Sequence, residues 1–234
     1  TPLGSRHSRG SHIRNLLSSL REDENIVTIL PLSRELLEEP AGHFLLFATK
    51  LGLIKKTKLE EYVKINKNGK YALRFKLEGD SLVNVRSGTE DVDIVMISST
   101  GLASRFSCKN INATGRVSAG KYGIKTGNRK NADGGHVVGM IATGNVSTQI
   151  LTISRNGMAK RSRFGTGERI PHLDAEGVQK MNKDGDLMFE TDGYRKTRPG
   201  AKGAYTMNLD TEAGDEIISA RHIPDLGDQL FLLT

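Results

Sequence analysis

The residues of this sequence best suited to chemistry are its arginines and lysines, because guanidinium and ammonium groups bind phosphate. The densest group lies in RNGMAKRSRFGTG, residues 155–167, which places four basic side chains beside an apolar strand pattern. Two other segments repeat the arrangement, with basic residues shortly after a turn glycine. Repetition at one position of a structural unit would place these charges along one surface. The residues concerned are Lys55, Lys56, Arg105, Lys160, Arg161 and Arg163.

Basic residues also recur in the loops that precede a second repeated motif. If each repeat folds alike, both groups lie on one rim, and a curved basic rim fits a nucleic-acid backbone. Solubility charges that protect strand edges are the alternative explanation of the same pattern. The predicted DNA-binding residues are Arg6, Arg9, Lys55, Lys56, Lys67, Lys70, Arg105, Arg116, Lys121, Lys160, Arg161, Arg163, Arg198 and Lys202.

No catalytic or metal-binding pattern accompanies these charges. The segment GRVSAGKY, residues 115–122, resembles a phosphate-binding P-loop, but Tyr122 replaces the hydroxyl residue that would hold magnesium. The six histidines lack metal-ligand spacing, and the single cysteine, Cys108, has no histidine partner in the sequence. We therefore predict no catalytic residue, no metal site and no cofactor site in this chain.

The basic residues belong to a repeated strand–turn–strand pattern. Each copy has an alternating apolar strand, a polar turn with glycine, and a second strand that carries basic residues. The turn glycines are Gly52, Gly101 and Gly157, which are 49 and 56 positions apart. The copies are FLLFATKLGLIKKTKLEEY, DIVMISSTGLASRFSCKNI and QILTISRNGMAKRSRFGTG, and a further copy begins at Gln229–Thr234.

A second β-rich motif alternates with the first, in residues 9–32, 68–88, 119–144 and 201–223. Two alternating hairpins per unit of roughly 50 residues are typical of propeller blades, which bury their faces against one another. We predict one all-β domain over residues 1–234, with about four blades, as a fragment of a larger ring. Residues 168–197 break the period and are predicted to form an insertion, either a long loop or an extra hairpin.

The composition limits the classes of protein that this chain can belong to. The net charge of +7 and isoelectric point near 9.5 favour a polyanionic partner over an acidic small substrate. One cysteine allows no internal disulfide, which indicates a reducing compartment. No apolar run reaches the length of a membrane span, and no signal peptide opens the sequence.

The ordered set of motifs resembles a known family. FATKLGLIKKT, LEGDSLVNVRSG, ISSTGLASRF, NATGRVSAGKYGI, ILTISRNGMAKRS and RPGAKGAYTMNL together resemble the C-terminal domain of the bacterial DNA gyrase A subunit, and equally the matching domain of topoisomerase IV. The gyrase hallmark, a Gln-Arg-Arg-Gly-Gly-Lys-Gly-like box, has no match, and residues 198–203 are the nearest segment. Gyrase and topoisomerase IV therefore both stay open.

The resemblance implies a β-pinwheel, a propeller-like ring whose four-stranded blades exchange strands with their neighbours. It implies a non-catalytic domain of an ATP-dependent type IIA topoisomerase, an isomerase, which wraps or bends duplex DNA on its basic outer rim. In gyrase this wrapping supports negative supercoiling; in topoisomerase IV the domain selects DNA geometry. The implied partners are double-stranded DNA, the cleavage core and the ATPase subunit, with ATP and Mg²⁺ used in other domains. The implied location is the bacterial cytoplasm, at the nucleoid; an organellar or viral origin stays open.

Two other functions fit a propeller. A protein-interaction scaffold is disfavoured by the absence of tryptophan and by an aromatic content of 5%, because protein interfaces favour Tyr, Trp and Arg. An enzyme with a central site lacks catalytic groups in the sequence. The dependence of binding affinity on salt concentration distinguishes DNA binding from these functions, since phosphate binding weakens steeply with ionic strength.

Overall fold

The computed structural model describes residues 5–7, 9–15, 17, 20–22, 24–64, 66, 69–126 and 134–224. These residues form a nearly all-β structure with two short α-helices and two short 3₁₀ helices, Ile13–Asn15 and Cys108–Asn110. The elements are α1 Arg34–Glu38, β1 Phe44–Thr49, β2 Leu53–Lys58, α2 Glu60–Val63, β3 Leu82–Gly88, β4 Asp93–Ser98, β5 Leu102–Ser107, β6 Lys121–Tyr122, β7 Val137–Thr143, β8 Gln149–Ser154, β9 Ala159–Arg163, β10 Arg169–Pro171, β11 Phe189–Thr191, β12 Ala204–Tyr205 and β13 Ile217–Ile223.

The strands form three blade-like antiparallel sheets. Their strand orders are β3-β1-β2-β6, β7-β4-β5-β12 and β13-β8-β9. Each sheet is built on one predicted hairpin, whose turn glycine has a positive φ: +92° at Gly52, +85° at Gly101 and +83° at Gly157. The innermost strand β7 packs against both β3 and β13. The opposite edges, at β6, β12 and β9, therefore form the outer side of the assembly.

The outermost strand of a sheet comes from the chain that follows the next hairpin. Strand β6 follows the hairpin β4–β5, yet it pairs with β2 of the first sheet through Leu53↔Tyr122 and Ile54↔Lys121. Strand β12 likewise follows β8–β9 and pairs with β5 through Ala103↔Ala204 and Leu102↔Tyr205. The all-β architecture that the repeats predicted and the strand exchange that the family resemblance implied are thus both present.

Glycine makes the close approach of these exchanged strands possible. A Cβ atom on Gly120 would lie 2.5 Å from the carbonyl oxygen of Ile54, and one on Gly203 would lie 2.2 Å from that of Ala103. Gly203 also has a φ of +80°, which residues with a Cβ rarely adopt. Both glycines therefore serve the contact between neighbouring strands.

Apolar side chains alternate along the central strands and fill the spaces between sheets. Leu46 and Ile54 of the first sheet pack with Ile94 and Met96 of the second, all fully buried. The opposite faces of the second sheet, with Val95 and Ile97, pack against Ile150 and Ile217 of the third. Because β1 and β4 are covered on both faces, every residue in them is buried.

The outer face of the first sheet is covered by local chain. Leu45 and Phe47 on that face pack with Leu59, and the partly buried Leu32 and Leu36 lie against them. Leu36 belongs to α1, whose N-cap Ser33 accepts a hydrogen bond from the Leu36 N–H.

Part of the predicted strand pattern is absent. Among the described residues of 9–32 and 69–77 there is no strand, although both stretches were assigned β-rich motifs. Strands β6 and β12 exist because a neighbouring hairpin offers them an edge, and no such hairpin lies beside residues 69–77 among the described residues. The described residues therefore form three blade-like sheets, whereas the sequence predicted about four blades. The copy assigned to residues 229–234 lies outside the described residues. Residues 168–197 include the two-stranded sheet β10-β11.

Candidate nucleic-acid interface

Exposed basic side chains are concentrated on the outer edges of the sheets. In the third sheet β9 presents Lys160, Arg161 and Arg163 to solvent. In the first sheet the outermost strand β6 presents Lys121, and in the second sheet Lys202 comes just before β12. These five predicted residues thus lie at the same side of three successive sheets.

The chain that crosses between sheets brings two of these regions together. The Gly200 N–H donates to the Gly123 carbonyl at 3.0 Å, and Ala201 forms a parallel bridge with Ile124. Exposed Arg198 and Lys202 therefore flank a segment that lies directly beside the end of β6. The basic side chains of the first two sheets form one surface rather than two patches.

Three predicted residues do not belong to this surface. The side chains of Lys55, Lys56 and Arg105 are buried, with relative exposures of 1%, 2% and 2%. Their placement on an exposed rim was wrong, because each side chain turns into the fold and binds backbone carbonyls of the segments packed on its sheet. A buried cation of this kind cannot reach a duplex held outside.

Arg105 joins the second sheet to the third. Its Nη2 donates to Asp93 Oδ2 at 2.8 Å, and its Nη1 donates to the carbonyls of Phe164 and Gly165, both at 2.9 Å. The guanidinium also stacks on the Phe164 ring, 3.9 Å from the ring centroid. The backbone carbonyl of Arg105 accepts from Thr197 N–H at 2.6 Å, in the segment that leads to β12. Arg105 therefore stabilises both the sheet interface and the strand exchange.

Lys56 occupies the equivalent position in the first sheet. Both Lys56 and Arg105 lie four residues after a turn glycine. The Lys56 Nζ donates to Glu90 Oε1 at 2.7 Å and to the Cys108 carbonyl at 3.0 Å. Its own carbonyl accepts from Thr114 N–H at 2.9 Å, as that of Arg105 does from Thr197. The basic residue at this position has a structural role in two sheets.

The third sheet departs from this pattern at Arg161. Arg161 also lies four residues after its turn glycine, and it is exposed on β9. Among the described residues no crossing segment covers the outer edge of β9. The same repeat position is therefore buried twice and exposed once, according to whether a distant segment of the chain lies over it.

The buried ammonium group of Lys55 makes hydrogen bonds to two backbone carbonyls in place of water. Its Nζ donates to the carbonyl of Ala72 at 2.5 Å and to the carbonyl of Arg116. Burial lowers the pKa of Lys55 from 10.5 to about 8; Glu61 opposes this shift and Arg116 adds to it. The charged ammonium is therefore less favourable in the folded protein than in water.

This lowered pKa predicts a rise in stability with pH. Between pH 8 and 10.5 the folded protein loses the Lys55 proton while the unfolded chain keeps it, so the unfolded state binds more protons and the free energy of unfolding rises with pH. We expect the difference between wild type and Lys55→Met to change by about 1–3 kcal/mol across this window. Urea unfolding at each pH measures it, with exposed Lys58→Met as the control. Parallel curves for wild type and Lys55→Met would contradict the shift.

The other predicted residues take intermediate positions. Arg116 and Lys70 are partly buried; Arg116 lies 3.4 Å from Glu61 Oε2, and Lys70 Nζ donates to the Glu61 carbonyl. Arg6 and Arg9 are exposed in the segment that precedes the first sheet. Lys67 lies outside the described residues.

Two basic residues of this surface were missed as predicted sites. Lys125 is exposed shortly after β6, and its N–H donates to the Ala201 carbonyl at 3.3 Å. Arg195 lines a cleft of about 340 Å³ together with Lys160 and Arg163, between β9, β11 and β12. The signal for Lys125 was its place in the segment GKYGIK, and the signal for Arg195 was its place in the basic loop that also contains Arg198 and Lys202.

Within the described part of the chain, no group of three or more His, Cys, Asp and Glu side chains is placed to hold a metal ion. Cys108 is buried, and this burial raises the pKa of its thiol. No helix among the described residues is long and apolar enough to cross a bilayer.

The fold and this surface define a class: a propeller-type β domain whose sheets exchange strands and whose outer edges are basic. The model of the family described as "DNA gyrase C-terminal domain, beta-propeller" matches residues 2–33, 43–87, 93–143 and 148–165. The chain belongs to this family. The matched ranges contain all three hairpins and exclude the whole insertion, residues 168–197.

Two DNA gyrase A proteins are similar to this chain in sequence, in agreement with its membership of the family. The DNA gyrase A protein of Deinococcus deserti is 36% identical over 165 residues, 70% of this chain and 20% of the relative. That of Metamycoplasma arthritidis is 30% identical over 219 residues, 94% of this chain and 20% of the relative. The chain thus spans about a fifth of the length of these gyrase proteins.

Two solved domains share the fold. The crystal structure of the C-terminal domain of DNA topoisomerase IV superposes with a TM-score of 0.58 at 20% identity, covering 92% of this chain and 70% of that one. The DNA gyrase A C-terminal domain gives 0.55 at 18% identity, covering 92% and 75%.

Proposed function

We propose that this chain is the DNA-wrapping domain of a DNA gyrase A protein, and that it binds duplex DNA along its outer strands. The observation that carries the proposal is the exposed basic series at the outer edges of three successive sheets. Family membership supports gyrase, since the relatives at 30–36% identity are gyrase A proteins. The contacts assigned to phosphate are Arg6, Arg9, Lys70, Arg116, Lys121, Lys125, Lys160, Arg161, Arg163, Arg195, Arg198 and Lys202.

Binding on this surface is independent of base sequence, because contacts to phosphate carry no sequence information. Bending a duplex over 20–30 base pairs costs about 1–6 kcal/mol, so several cationic contacts must act together to hold the bend. A bent segment held at one end of the gyrase would be delivered to the cleavage core with one handedness, which supports negative supercoiling. ATP hydrolysis and Mg²⁺ belong to other parts of that assembly, in the bacterial cytoplasm, and this domain itself uses no cofactor.

The test is binding to linear duplexes of increasing length over a series of salt concentrations. We expect affinity to rise with length until the duplex follows all three sheets. The logarithm of the affinity should fall with the logarithm of salt concentration with a slope of about −0.9 per phosphate contact. Closing nicked circles in the presence of the domain then reports the handedness of the wrap. Weak binding that is independent of both length and salt would overturn the proposal and favour a protein-interaction scaffold.

A further inference from the structure

Three of the five tyrosines in this chain occupy one position of the repeat. Tyr71, Tyr122 and Tyr205 each lie two residues after a glycine, in the segments GKY, GKY and GAY. The register establishes the equivalence of two of them, because Tyr122 pairs with Leu53 and Tyr205 with Leu102, each the first residue after a turn glycine.

All three rings are exposed. The exposed fractions are 83% for Tyr71, 50% for Tyr122 and 65% for Tyr205. The other two tyrosines contribute to packing: Tyr62 is partly buried against Phe47, and Tyr194 packs against the cluster between the second and third sheets. A single exposed aromatic residue needs no explanation, but its recurrence in three repeats of a chain without tryptophan, twice on equivalent strands, does.

A basic residue lies near each of these tyrosines. Tyr71 lines a cleft together with Lys70 and Arg116, and Lys121 precedes Tyr122 on β6. Tyr205 lines the cleft that also contains Lys160 and Arg163. A neutral phenol among cations is suited to an anionic, partly apolar partner, and the sugar–phosphate backbone of DNA has both properties.

We propose that Tyr71, Tyr122 and Tyr205 form a row of uncharged contacts to the duplex backbone. Each phenolic O–H donates to a phosphate oxygen, and each ring packs against a deoxyribose. Tyrosine is one of the side chains that make such contacts to phosphate and sugar. This inference rests on the proposed DNA-binding function. The tyrosine contacts contribute a part of the affinity that does not depend on counterion release.

The experiment compares two triple variants of the full chain, Tyr→Phe and Tyr→Ala at positions 71, 122 and 205, with wild type. The probe is an end-labelled mixed-sequence duplex long enough to contact all three sheets, titrated over a salt series. We expect the Phe variant to bind about 10–100-fold more weakly, and the Ala variant more weakly still. The salt slope of both should equal that of wild type, because no charge is removed.

Two controls make the result specific. Lys121→Gln, next to the row, should lower the steepness of the salt slope by about 0.9, which the tyrosine variants must not do. Met158→Ala removes an exposed apolar side chain from a hairpin turn and should leave affinity unchanged. Thermal unfolding should match wild type for both tyrosine variants, since the rings are exposed.

The outcomes separate the two claims. If wild type fails to bind the duplex, the proposed function is wrong. If wild type binds with a steep salt slope and both tyrosine variants bind equally well, the inference alone is overturned. A changed salt slope in the Phe variant would also overturn it, because the tyrosines would then act through neighbouring charges.

Discussion

Replacement of Arg105 by alanine should lower the free energy of unfolding by about 3–5 kcal/mol, the usual effect of removing one member of a buried ion pair. The variant leaves the Asp93 carboxylate without the guanidinium that lies 2.8 Å away. It also removes the guanidinium donor from the carbonyls of Phe164 and Gly165, at the boundary between the second and third sheets, although the Phe164 carbonyl still accepts from the Tyr194 N–H. Urea or thermal unfolding of the purified chain measures the loss.

Arg161→Ala is the matched control for this experiment. It removes the same side chain from the equivalent repeat position, four residues after the turn glycine, but from an exposed site. A surface substitution of this kind changes stability by about 0.5 kcal/mol or less. Equal losses of stability in Arg105→Ala and Arg161→Ala would contradict the structural role that the contacts of Arg105 indicate. The DNA-binding assay should give the opposite ranking, since Arg161 is the residue that faces solvent.

Reversal of Lys160, Arg161 and Arg163 to glutamate should weaken duplex binding on the order of 100-fold or more at moderate salt. The three side chains lie on one exposed strand, so the variant replaces local attraction with repulsion of the phosphates. The slope of the logarithm of affinity against the logarithm of salt concentration should become shallower by roughly 2.7, which corresponds to the loss of three phosphate contacts. Fluorescence anisotropy over a salt series measures both quantities.

A second triple reversal controls for the change in net charge. Arg34 lies in α1, Lys50 lies in a hairpin turn, and Arg221 lies on β13, the inner edge strand of the third sheet. All three are exposed, and none lies on an outer strand. Their reversal to glutamate alters the net charge by the same amount. Affinity should then fall much less than in the β9 variant. Similar losses in the two proteins would mean that total charge, rather than the position of the basic surface, determines binding.

The hairpins could be predicted from the sequence because their determinants are local. Alternating apolar residues and a turn glycine such as Gly52 specify two strands and their register within about fifteen residues. The helical turn at α1 was also predictable, since Ser33 and the proline at position 40 mark its ends.

The strand exchange and the fate of each basic residue could not be predicted in the same way. Lys56 and Arg161 occupy equivalent positions and have equivalent neighbours in sequence, so no local rule separates them. What differs is the segment that lies over each one, and this segment is distant in the chain: residue 113 covers Lys56 through a parallel bridge. Burial at the outer strands is therefore a tertiary property, and a basic residue in a repeat must be assigned to the core or to the surface from the whole fold.

The exchange of strands also has a consequence for biosynthesis. As the nascent chain leaves the ribosome, the hairpin β1–β2 is complete long before β6 has been made, and β2 has an unpaired edge throughout that interval. In the second sheet the edge of β5 likewise stays unpaired until β12 has been made, which happens only after the whole insertion has been synthesised. Open strand edges favour aggregation, so folding on the ribosome leaves each hairpin exposed until its distant partner arrives. A truncation placed between two hairpins would make that exposure permanent, and only boundaries drawn after an exchanged strand preserve a finished sheet.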